Sequence, residues 1–257
     1  MTVREVADLM AAMKGRVTAR TRRTVNLIIA LAMQYSDLGT DFTFDADDEL
    51  DHQVNLLLVQ LSDAIAEDSA RRAAQTVDDD EDRETALTWA RRPIDGRDAT
   101  ERMDQHCSDL KLALEGFLAV CFAKNYQQAR ILTEAGSFLN SPNTWPPMRD
   151  AFGDTRYRAP FIGEGGFHFG PGMPTDARKG MTLVSQGIIN STFQRGVILG
   201  YQRDPSIVAY KVHRGSDYDC PLCDDLCVGV HFLDEQVLPA HPRCMCYTTP
   251  VRAADLV

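Results

Sequence analysis

The chain has 257 residues, 44% hydrophobic and 25% charged, which is the composition of a folded protein and excludes an intrinsically disordered one. Its formal charge of −10 argues against a whole-chain electrostatic grip on nucleic acid, because duplex binding rests on neutralising phosphates. The longest apolar run, Leu27 to Met33, is far short of the ~20 residues that a bilayer-crossing helix needs, so no membrane role is expected.

The first 140 residues read as helices. Val6, Leu9, Met10, Met13, Val17, Val25, Ile28, Leu31 and Ala32 recur at helical spacing over residues 3–35. The basic run Arg20, Arg22 and Arg23 on this helix reads as a solvated face. A break follows at Asp37-Leu-Gly39. Acids at Asp45, Asp47, Asp48 and Glu49 then suit the positive end of a second helix, which continues through Val54, Leu58, Leu61 and Ile65 to about Val77. The block Asp78 to Asp82 reads as an exposed loop or helix start; it lacks the alternating oxygens and turn glycine of a calcium loop. A third helix is predicted over 82–91 and a long fourth over 99–139. Cys107 and Cys121 fall on helical patterns as small apolar residues.

Residues 141–179 change texture. Gly163, Gly165, Gly166, Gly170, Gly172 and the prolines around them cannot sustain a helix, and they mark a connector or arm. No Gly-Lys-Ser/Thr ending accompanies these glycines, so they do not make a phosphate loop. A helix is predicted over 180–202, a strand over Ile207–His213, and short strands over Val228–Phe232 and Tyr247–Val251.

Five of the seven cysteines lie in the last 38 residues, in Cys220-Pro-Leu-Cys223-Asp-Asp-Leu-Cys227 and Pro239-Ala-His241-Pro-Arg-Cys244-Met-Cys246. Two short ligand pairs flanking a loop supply the tetrahedral sulfur and nitrogen set that zinc takes. Cys220 and Cys223 form the first pair. The second comes from His241, Cys244 and Cys246, and spacing does not choose among them. Cys227 and His231 are spare candidates. A redox pair, an iron–sulfur cluster and an open catalytic zinc site compete for these residues. A redox pair opens a helix after a strand, a cluster needs a further cysteine pattern, and a catalytic zinc keeps an open position that surplus ligands argue against. Structural Zn2+ is the expectation. No Ser/His/Asp or Cys/His set implies a nucleophile, and no enzymatic activity is expected.

The stretch Ser185-Gln-Gly-Ile-Ile-Asn190-Ser-Thr-Phe-Gln-Arg195-Gly196, a strand at Val208–Val212, Cys220-x-x-Cys223, Gly229 and His241-Pro-x-Cys244-x-Cys246 together resemble the phage Mu F-like head morphogenesis domain. The resemblance covers about residues 180–250. It departs at Ser185-Gln186, where the family carries Thr-Glu, and at Met245, where it carries arginine. It implies a minor head protein of a tailed phage or prophage, acting with the portal protein or the major capsid protein during head assembly. Such proteins are found in the virion and in the bacterial host cytoplasm, and some travel with the packaged DNA. The resulting expectation is an α+β protein in three parts: a helical region 1–140, the arm 141–179, and a zinc-stabilised domain 180–257. Two other functions remain open: a zinc-dependent nucleic-acid-binding module, which would need a basic stripe, and a metalloenzyme.

Overall fold

Apolar residues three and four apart fold most of this chain into helices, and β-branched residues near the C-terminus build one small sheet. The computed structural model describes residues 1–35, 42–93, 96–140, 177–215, 220–240 and 244–256. Its helices are α1 (Val3–Ala32), α2 (Asp48–Ala74), α3 (Asp80–Arg91), α4 (Ala99–Ala123), α5 (Gln128–Asn140), α6 (Ala177–Arg203) and the short α7 (Pro221–Leu226). The strands are β1 (Ile207–His213), β2 (His231–Phe232) and β3 (Tyr247–Arg252), in the order β2-β1-β3 with both pairings antiparallel. The chain is therefore mostly helical, with a small antiparallel sheet and a cysteine cluster near its C-terminus, compatible with α+β. No described helix is long and apolar enough to cross a membrane.

The chain divides into two compact units. One contains the described residues of 15–66 and 94–182. Val17, Val25, Ile28, Ile29, Leu50, Val54, Ile65, Met103, Leu110, Leu114 and Leu118 are buried there. Cys107 and Cys121 are buried too, and burial pushes their thiols up to about 12 and about 11. Both therefore stay protonated and pack as small apolar groups, with the Cys107 sulfur 4.0 Å from that of Met181.

The predicted long fourth helix is two helices. After Ala123 the chain turns at Asn125, whose φ of 51° is left-handed. The amide of Asn125 donates to the Phe122 carbonyl at 2.8 Å and that of Tyr126 to Cys121 at 3.0 Å, which closes the helix end as a Schellman turn. Asparagine tolerates this conformation better than other non-glycine residues. The apolar pattern runs on through the turn, so periodicity alone joins the two helices.

The other unit comprises residues 1–14, 67–93 and 183–257. The acid block opens α3: Asp79 is the N-cap and its carboxylate accepts from the amides of Glu81 and Asp82. Arg203, at the end of α6, reaches Asp79 at 2.9 Å and Asp82 at 3.0 Å. That guanidinium and the capped amide of Asp82 hold the Asp79 carboxyl down at about 2.

The predicted strand at Val228–Phe232 shrinks to the two residues of β2, because Gly229 takes a φ of 85° and turns the chain before it can pair. The arm predicted over 141–179 lies outside the described residues up to 176, and its last three residues begin α6.

Candidate metal centre

β1 is short, and its Ile207, Ala209, Tyr210 and Val212 are all buried. Tyr210 and Val212 pack with Ile198 of α6, Leu238, Ala240 and four cysteines into one cluster. The cysteines thus take the place that larger apolar side chains would fill in a bigger domain.

Cys223, Cys244 and Cys246 bring their sulfurs within 4.8 Å of one another, and all three are buried. The Cys223 and Cys244 sulfurs are 4.0 Å apart. Tetrahedral coordination with metal–sulfur bonds of about 2.3 Å sets sulfurs about 3.8 Å apart, so the observed spacing fits an ion between them. Burial, the neighbouring Cys244 and contacts with Cys246 and Cys220 all push the Cys223 thiol up. Burial likewise raises Cys244. Buried thiols such as Cys223 and Cys244 resist ionisation without a cation, and a bound divalent ion reverses that balance. The donor set therefore fits a soft, sulfur-preferring ion.

Of the predicted ligands, then, three come together. Cys220 is 8% exposed and contacts Cys223, but it does not complete a mutual set of four. His241 lies outside the described residues. Cys227 is half-buried, and burial first and the nearby Cys246 second raise its thiol. The spare His231 is committed elsewhere: its Nε2 meets the Leu226 carbonyl at 2.8 Å and its Nδ1 faces Glu235 at 3.5 Å. His213 stacks on Tyr247 and bonds the Thr249 hydroxyl at 2.7 Å.

Cys220 and Cys223 sit on α7 instead of a bare turn, with Cys220 as N-cap and Pro221 at the first helical position.

Sequence reasoning gave no role to the residues that hold this site in place. Asn190 donates through Nδ2 to the Cys244 carbonyl at 2.7 Å, and Gln194 through Nε2 to the Cys246 carbonyl at 3.0 Å. One turn and three residues further on, the Tyr201 hydroxyl donates to the Thr248 carbonyl at 3.1 Å. A single face of α6 thus tracks alternate residues of the segment entering β3. From Asn190 to Gln194 four helical residues rise about 6 Å, and from Cys244 to Cys246 two extended residues span about 6.6 Å, so these two spacings match. The overlooked signal was polar residues buried inside a helix: Ser185, Asn190, Ser191, Thr192 and Gln194 are all buried. Gln186, where the resemblance breaks, donates to the Met10 carbonyl at 2.9 Å.

Gly215 lies against the same segment. A Cβ there would stand 1.7 Å from the Met245 carbonyl oxygen, so only glycine fits beside the Cys-Met-Cys backbone. Comparison with protein-family models, with curated proteins and with solved structures found no match.

Proposed function

We propose that this chain is a structural assembly protein of a tailed phage or prophage, a minor head protein that works at the portal or the capsid lining during head morphogenesis. One observation carries the reading. Asn190, Cys223 and Cys244, three of the residues on which the resemblance rests, meet in one buried site: Asn190 of α6 donates to the carbonyl of Cys244, 54 positions away, and the Cys244 sulfur faces that of Cys223. A motif assembled in space supports the family reading better than a motif read along the chain.

The ion we assign to the site is zinc, held by Cys223, Cys244 and Cys246 with a fourth ligand from Cys220, Cys227 or His241. Bound there, it supplies four strong bonds in place of an apolar core and keeps the thiolates ionised. The side chains around the sulfurs do the rest. Asn190 and Gln194 fix the backbone of two ligands, and Tyr210 and Val212 keep water out. On this reading the centre is structural, and the chain acts by docking and not by catalysis.

The test is genetic and physical. In a prophage lacking this chain, filled heads should be lost or sharply reduced, and the purified chain should bind the portal oligomer or the capsid protein of the same phage. A normal yield of filled heads together with no binding to either protein overturns the assignment.

A further inference from the structure

Two exposed surfaces of opposite charge stand out on this chain. The first is the segment between α7 and the end of β2. Val228, Val230 and Phe232 alternate along it and are 75%, 43% and 65% exposed. Residues 220–240 hold Asp224, Asp225, Asp234 and Glu235 and no lysine or arginine. Asp225 and Asp234 are exposed and carry no ion pair among the described residues. Because β2 is at the edge of the sheet, one side of its backbone has no strand beside it among the described residues.

The second surface is the later part of α1. Residues 9–32 of this helix contain Lys14, Arg16, Arg20, Arg22 and Arg23 and no acid, within a chain of charge −10. Arg22 and Arg23 are exposed and carry no ion pair among the described residues. With Ala19, Asn26 and Leu27 they form one open face of the helix, on which Leu27 is 47% exposed.

We propose that these are the two halves of one interface, and that the acid-rimmed apolar segment carrying Val228, Val230 and Phe232 in one copy packs on the Arg22–Arg23–Leu27 face of another. Apolar residues face apolar residues, and Asp225 and Asp234 meet two arginines. Each surface is the wrong partner for itself, because like charges would face each other. The contact joins unlike surfaces, so every copy carries both halves of it. The assignment does not depend on the phage reading.

Sedimentation velocity across a concentration series of the full chain tests it. Species larger than the monomer are expected at low salt and should recede as salt rises, because exposed ion pairs are screened. Phe232→Ser should abolish association, as should the pair Arg22→Glu and Arg23→Glu. Because either could disturb folding, the deciding variant reverses both sides. Adding Asp225→Arg and Asp234→Arg to the double arginine reversal should restore assembly. A monomer at every concentration overturns the proposal, as does assembly indifferent to both single-sided changes. A monomer that instead captures a lysine-rich apolar peptide through Phe232 overturns it in favour of a foreign basic partner.

Discussion

Asn190 and Cys244 are joined by a 2.7 Å hydrogen bond from a buried side-chain amide to a buried carbonyl. Neither group has water as an alternative partner, so the bond ties the metal-binding segment to α6 over 54 positions of sequence. Asn190→Ala leaves the Cys244 carbonyl without this donor and should cost about 1–3 kcal/mol of stability, read from urea denaturation. Gln194→Ala should act in the same direction through Cys246. An unchanged denaturation midpoint in both variants would show that α6 does not hold the site.

Metal content follows from the sulfur geometry. Native mass spectrometry should find one zinc per chain, lost on chelation. Hydrogen exchange should then quicken in β1, α7 and β3 more than in α4. Cys223→Ser and Cys244→Ser should each abolish binding, and Cys107→Ser should leave it intact, since that thiol packs beside Met181.

The Asp79–Arg203 pair sets a pH window. Its carboxyl is lowered from 3.8 to about 2 in the folded chain, so its contribution is fully present above pH 4 and is lost as pH falls towards 2. Arg203→Gln should lower Tm at pH 6, and the gap from the parent protein should close by pH 2. A gap that stays constant across that range would rule out the pair as its source.

Asn125→Gly should be tolerated, because glycine adopts a φ of 51° freely. Asn125→Ala should cost about 1 kcal/mol, since a Cβ is strained there. Thermal melting of the two variants checks the order.

Gly215→Ala should be the most damaging single methyl among the described glycines. Its Cβ meets backbone, not a side chain that can swing away, so the Cys244-to-Cys246 segment must shift. Zinc retention after gel filtration is the readout, and full retention would contradict the geometry.

Helices α1, α2, α3 and α6 and strands β1 and β3 were legible in the sequence because each carries a periodic apolar or β-branched pattern longer than its ends can blur. The break at Asn125 was not, since it is made by one residue's left-handed backbone while the apolar pattern continues across it. The cysteines announced themselves by spacing, and three of them converge. The roles of Asn190, Gln194 and Gly215 did not, although the resemblance takes in the first two. Their work is done on backbone carbonyls of a distant segment, and a carbonyl leaves no trace in residue identity.

Cys246 immediately precedes β3, whose first residue, Tyr247, pairs with His213 of β1. A ligand so close to a strand makes the metal a pin for strand alignment. Sliding β3 by two residues keeps its inward and outward faces but carries Cys244 and Cys246 some 6.6 Å from Cys223, where no single ion spans the gap. A sheet this small has few side chains with which to reject a slipped pairing, and the sulfurs reject it instead.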